Sequence, residues 1–128
     1  MRKVLVFAAI VEFGTGIAFM ADPAIVVSLL LGVDVTGVGV PLGRCFGIAL
    51  LALGIACWPN RKSETGSRPA LRAMLIYNVL IAAYLAWLGT AAHMGGILLW
   101  PAVVLHAGVP LLLAWTQRDA SATRGADK

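Results

Sequence analysis

The chain has few charged residues and few of the side chains that soluble enzymes use. Only 12% of its 128 residues are Asp, Glu, Lys or Arg, against about 25% in an average soluble domain. Its two cysteines and two histidines show no metal-ligand spacing. The sequence also has no phosphate-binding loop, nucleophile elbow or dinucleotide fingerprint. These absences argue against hydrolases, ATPases and dehydrogenases of familiar design, and no metal or cofactor is assigned.

Apolar residues, in contrast, are abundant and come in long blocks. They make up 60% of the chain, and the mean hydropathy is +0.89. A transmembrane helix needs about 20 predominantly apolar residues, and four blocks come close to that length: 4–21, 40–58, 71–88 and 97–115. The sequence therefore predicts an all-α integral membrane bundle of four transmembrane helices over residues 1–116. The polar, small-residue segment 117–128 is predicted to be a mobile cytoplasmic tail.

A fifth apolar stretch, 24–33, follows the Asp22-Pro23 pair. Proline cannot continue a helix without disrupting it, so the first span is expected to end there. Ten residues give only about 15 Å of helix, which is half the thickness of a bilayer core. We predict a short helix at the outer membrane interface, between the first and second spans.

The basic residues indicate how the bundle is oriented. The formal net charge is +4, and the loop-borne Lys and Arg residues lie before the first span, between the second and third, and in the tail. The other two connections have none. The positive-inside rule therefore places both termini in the cytoplasm. Orientation in a lipid bilayer explains the basic charge without a nucleic-acid partner.

Each predicted span carries a polar side chain well inside it: Glu12, Arg44, Asn78 with its neighbour Tyr77, and His106. A charge at the bilayer centre costs at least about 2.5–3.5 kcal/mol, so such residues face the bundle interior and pair. We expect a buried polar cluster of these five residues. Two partners for the Arg44 side chain remain open, Glu12 and Asp22. The cluster either fixes the helix register or handles a proton, an ion or a polar substrate group.

Small residues line two of the spans. The positions are Gly16 on the first span and Gly43, Gly47 and Gly54 on the second. Glycines at such spacing let membrane helices approach closely. We predict close helix packing here, within the chain or in a homo-oligomer. The two cysteines lie about 18 Å apart on one helix, too far for a disulfide between them.

Two local patterns resemble a known group of proteins. They are the run Gly43-Arg44-Cys45-Phe46-Gly47 at the start of the second span and the Asp22-Pro23 break before a short apolar segment. They resemble the small bacterial four-helix membrane proteins that include the DoxX-like families. The resemblance covers roughly residues 1–60. It implies a four-helix fold in a bacterial inner membrane, and it carries no catalytic residue across.

Three functions are compatible with these patterns. The favoured one is an accessory or scaffold subunit, oligomeric or bound to a larger membrane complex, because the chain is small and lacks catalytic motifs. The alternative is an enzyme or carrier for a lipophilic small molecule, which would use the buried cluster. The third is a proton-coupled transporter built on the buried acid Glu12. An open cavity beside Glu12 and His106 would favour the second or third function, and a closed core the first.

Overall fold

The apolar blocks of the sequence fold into α-helices. The computed structural model describes residues 2–58 and 67–126, and every regular element in these ranges is an α-helix. The five helices are α1 (Arg2–Ala21), α2 (Pro23–Leu31), α3 (Gly39–Ala56), α4 (Ser67–Thr90) and α5 (Leu99–Ala126). The predicted all-α fold is therefore confirmed.

Three of the helices are long and apolar enough to cross a membrane: Lys3–Ala21, Gly39–Ala56 and Arg68–Thr90. These stretches correspond to the first three predicted spans. The apolar part of α5, Leu99–Trp115, is shorter. Helix α5 continues to Ala126, so the backbone of residues 117–126, which the sequence places in a tail, is helical.

The Asp22-Pro23 pair separates α1 from α2, as expected. The Asp22 Oδ1 atom accepts a hydrogen bond from the Ile25 amide at 3.1 Å, which caps α2, and Pro23 occupies the first turn. Gly32 ends α2 in the left-handed conformation with φ of 72°, which glycine adopts without a Cβ penalty. The apolar stretch 24–33 thus contains a separate helix, Pro23–Leu31, rather than an extension of the first span.

Helices α1 and α3 form one close pair, and α4 and α5 form another. Helix α2 connects the pairs through the backbone. The amides of Gly95, Gly96 and Leu98 donate to the carbonyls of Leu31, Leu30 and Leu29 at 3.0, 3.1 and 2.9 Å. We call residues 95–98 the strap. It satisfies carbonyls that the last turn of a helix would otherwise leave unpaired.

The glycines of α1 and α3 lie where these two helices touch. A Cβ atom added at Gly47 would lie 2.8 Å from the Gly16 carbonyl oxygen, and one at Gly54 would lie 2.9 Å from the Ala9 carbonyl oxygen. Gly43 lies against Pro23 and Phe19. The four glycines singled out in the sequence therefore make contacts within the chain.

Two groups of buried apolar side chains lie towards opposite ends of the bundle. One includes Leu5, Met74 and Leu113, and the other consists of Leu85, Leu88 and Leu99. Counted along α4 and α5, the polar residues at 77–78 and 106 fall between the two groups. The packing thus leaves the polar side chains in the middle of the bundle.

Candidate functional site

Four of the five polar residues singled out in the sequence come together. Glu12 is 1% exposed and Asn78 is fully buried. The Nδ1 atom of His106 lies 3.7 Å from Glu12 Oε1, and the Tyr77 hydroxyl lies beside the Glu12 carboxyl group. The rings of Tyr77 and His106 meet edge to face with centroids 5.8 Å apart. We call Glu12, Tyr77, Asn78 and His106 the polar cluster; α1, α4 and α5 contribute to it.

Asn78 determines which nitrogen of His106 carries the proton. The Asn78 Nδ2 group donates to the Met74 carbonyl at 2.9 Å, and a carbonyl oxygen can only accept. The Oδ1 atom therefore faces His106, whose Nδ1 lies 2.9 Å away. Since Oδ1 is also an acceptor, Nδ1 must carry a hydrogen and donate it. In the neutral imidazole this leaves Nε2 with a lone pair and no hydrogen.

One oxygen of Glu12 remains without a partner. The Oε2 atom is buried and makes no hydrogen bond, and in the part of the chain that the structure describes no other buried side-chain oxygen or nitrogen is in that state. A buried polar atom without a partner is costly, and such atoms concentrate where a protein binds or reacts. The polar cluster thus offers unused hydrogen-bonding capacity deep inside the bundle.

Arg44 does not belong to the polar cluster, so the prediction that it would be buried there is wrong. The residue is exposed. Among the side chains that the structure describes, those of residues 3–58 and 68–115, Glu12 and His106 form the only pair within 4 Å that counts as an ion pair, so neither Glu12 nor Asp22 pairs with Arg44. The glycine contacts explain this result, since they set Arg44 level with the C-terminal end of α1, about 13 Å along the helix from Glu12.

A cavity of about 280 Å³ lies beside the polar cluster. Tyr77 and His106 line one end of it, and all five helices contribute to its wall. The remaining lining residues are Val11, Thr15, Phe19, Val26, Leu30, Phe46, Leu50, Ile81, Leu85, Leu98, Pro101, Ala102 and Leu105. Only Thr15 among these carries a polar side chain, so the cavity is an apolar space with a polar end.

The cavity is elongated along the bundle. Its lining runs from Leu98 in the strap to His106 on α5 and, in the opposite chain direction, from Leu85 to Tyr77 on α4. Eight residues correspond to about 12 Å of helix. The polar end therefore lies inside the bundle, and the other end lies beneath α2 and the strap. A molecule in this space would hold its polar group at His106 and its apolar body towards α2.

Pro110 removes a backbone hydrogen bond from His106. It lies inside α5, four residues after His106. Proline has no amide hydrogen, so the His106 carbonyl cannot receive the usual helix bond from residue 110.

Thr15 lines the cavity but was not predicted as a site residue, although it lies one turn from Glu12 and therefore faces the same side of α1. Its spacing from Glu12 was the available signal.

In the described part of the chain, no three His, Cys, Asp or Glu side chains lie together as metal ligands would. Both cysteines are free thiols, as their predicted separation requires. The chain matches no protein-family model, no curated protein and no solved structure. The resemblance to DoxX-like proteins therefore stays a prediction, and the function has to be argued from the site.

Proposed function

We propose that this protein is a four-span protein of a bacterial inner membrane that binds a lipophilic small molecule. The fourth span would be the apolar part of α5, because a helix of this hydropathy next to α4 has no aqueous environment to occupy once α4 crosses the membrane. Helix α2 would lie at the outer interface, and both termini would be cytoplasmic by the distribution of Lys and Arg.

The observation that carries the proposed binding function is the cavity with the polar cluster at its end. Small-molecule sites are mostly apolar pockets with a few convergent polar groups that fix orientation. A cavity of about 150 Å³ holds benzene, so 280 Å³ accommodates roughly ten to twelve non-hydrogen atoms, by proportion. The ligand is therefore a compact apolar molecule, or the end of a longer one, with a polar group.

The polar cluster also has the composition of a proton-transfer site. An imidazole whose Nδ1 is oriented by a hydrogen bond can accept a proton at Nε2, and a carboxyl group beside it stabilises the imidazolium that forms. A carrier needs only to bind the ligand, whereas an enzyme would also use the proton transfer at His106. The structure supports binding in either case.

The hypothesis of an accessory or scaffold subunit loses one of its supports. The close packing predicted for the glycines could have lain within the chain or in a homo-oligomer, but Gly16, Gly43, Gly47 and Gly54 make contacts within the chain. The transporter hypothesis draws on Glu12 alone. A lipophile-binding protein uses both the cavity and the cluster, so we favour it over the other two.

Native mass spectrometry of the protein released from its own membrane tests the proposal. We expect the wild-type chain to carry a lipophilic small molecule. Ala102→Leu, which adds bulk to the cavity wall, should lose it, whereas Ala83→Leu, the same change at an exposed position of the apolar helix α4, should keep it. A wild-type chain without a bound lipophile, or equal occupancy in the two variants, would refute the proposed function.

A further inference from the structure

We propose that the cavity selects molecules that present a hydroxyl group to His106 over carbonyl compounds of the same shape. This inference rests on the proposed function and adds the chemical class of the ligand. It follows from the direction of the hydrogen bonds in the polar cluster, because those directions decide whether the cavity offers a donor or an acceptor at its polar end.

The direction is fixed by a chain of three groups that ends in the backbone. The Met74 carbonyl can only accept, so Asn78 presents its Nδ2 group there and its Oδ1 atom to His106. The imidazole then donates from Nδ1, and its remaining nitrogen is an acceptor. Turning the Asn78 amide over would place two acceptors against each other at Met74, so the backbone of α4 determines the state of His106.

The Nε2 atom is available to a ligand. It has no hydrogen-bond partner among the described residues. Among these residues, Glu12 Oε2 is the only buried side-chain oxygen or nitrogen without a partner, so Nε2 is not fully buried. Nε2 therefore keeps accessible surface on a side chain that lines the cavity. The hydroxyl groups of Tyr77 and Thr15 can each donate or accept a hydrogen bond, so they favour neither ligand class. Nε2 is the group that distinguishes one ligand class from the other.

A ligand hydroxyl pairs with this acceptor, whereas a carbonyl oxygen does not. A carbonyl oxygen placed at Nε2 would bring its lone pair against the lone pair of the nitrogen. Both the oxygen and the nitrogen would then lack a hydrogen-bond partner in an apolar space. A neutral hydrogen bond in such a site corresponds to roughly a three- to tenfold difference in affinity. We therefore expect that difference between an alcohol and the matching ketone.

The test uses 2-tetralol and 2-tetralone, which share one carbon skeleton. Their binding to the wild-type chain in nanodiscs is measured by equilibrium dialysis, with empty nanodiscs as the control for partition into lipid. We expect 2-tetralol to bind three- to tenfold more tightly. Ala102→Leu should weaken the binding of both molecules, which would show that they bind in the cavity. Equal affinities, or tighter binding of the ketone, would overturn the inference and leave the proposed function standing.

A ring without nitrogen at position 106 provides the variant test. His106→Phe should bind both molecules with equal affinity, because it removes the acceptor and retains an aromatic ring of similar size. Should this variant fail to fold, His106→Gln offers both a donor and an acceptor and should also lose the preference. A preference that persists in the folded variant would show that another group selects the alcohol.

Nitrogen-15 NMR of histidine-labelled protein examines the same inference without a ligand. The two histidines, His93 and His106, give separate signals that a His93→Gln variant assigns. We expect a protonated Nδ1 and an unprotonated Nε2 at His106. The opposite tautomer would overturn the inference. Absence of binding by either tetralin derivative would also overturn it, whereas the proposed function is judged by the native ligand in mass spectrometry.

Discussion

Glu12 and Arg44 are the charged residues that lie away from the ends of the sequence blocks of α1 and α3, and the structure separates them. Glu12 is buried beside His106, whereas Arg44 is exposed near the N-terminal end of α3. Sites without shared partners contribute to stability additively, within about 0.5 kcal/mol. We expect the losses caused by Glu12→Gln and Arg44→Gln to add in the double variant. Unfolding in mixed detergent micelles measures all three, and a coupling above about 1 kcal/mol would show that the two side chains interact.

The sequence predicts that a polar side chain lies well inside each apolar block, but not the side of the helix on which it lies. Glu12, Asn78 and His106 come together as predicted, and Arg44 does not. The direction of a side chain around the axis needs a polar face as a reference. Helix α3 has apolar residues on all sides, so its sequence gives no such reference for Arg44, and the contacts of Gly43 and Gly47 decide its direction.

At the scale of helices, the contact between α1 and α3 depends on the absence of a side chain at Gly47. An added Cβ would meet backbone atoms of Gly16 and Met20, which cannot move aside as a side chain can. We expect Gly47→Ala to lower the free energy of unfolding by about 1–3 kcal/mol.

Gly14→Ala is the matched control for this contact, since Gly14 lies in the same helix pair with nothing within 4 Å of an added Cβ. Its substitution should leave stability unchanged or raise it by up to about 1 kcal/mol, because alanine favours a helix. Unfolding in mixed micelles compares the two variants. Equal effects would contradict the close approach of α1 and α3.

The joint between α2 and the strap depends in the same way on Gly96. A Cβ at Gly96 would collide with the backbone of Leu29, whereas one at Gly95 would meet nothing within 4 Å. We expect Gly96→Ala to break the strap bonds and Gly95→Ala to preserve them. Hydrogen exchange at the Leu98 amide is the measurement, and exchange should accelerate at least about tenfold in the first variant, as expected when a bond worth about 1.4 kcal/mol or more is lost. Equal protection in both variants would argue against the joint.

The sequence predicts α2 as a separate element but not this joint. The Asp22-Pro23 pair predicts a helix start, because an Asp cap followed by a proline in the first turn favours a helix through local interactions alone. The strap, by contrast, pairs backbone groups more than sixty residues apart along the chain, between Leu29 and Leu98. No side-chain pattern specifies such bonds. Gly96 is the one residue whose identity these bonds require, because a Cβ there would collide with Leu29. That requirement becomes visible only once the contact between the two segments is known.

For the whole molecule, the proposed orientation makes a prediction that labelling can check. Ser63 lies outside the described residues and Ala120 lies in the last turns of α5. Because the positive-inside rule assigns both to the cytoplasm, a cysteine placed at either position should resist an impermeant thiol reagent added to intact cells. A cysteine at Ala92, in the opposite connection, should react. Efficient labelling at Ser63 or Ala120 would reverse the orientation.

The strap bonds imply an order of assembly during synthesis. Helices α1, α2 and α3 leave the ribosome first, and the contacts between α1 and α3 lie entirely within that part of the chain. The carbonyls of Leu29, Leu30 and Leu31 receive their partners only when residues 95–98 have been made. Until then the end of α2 is held by Gly32 alone. The cavity therefore acquires its roof only when the last helix packs against the others. A protein with the proposed function would leave its nascent first helix pair open to a lipophile until that point.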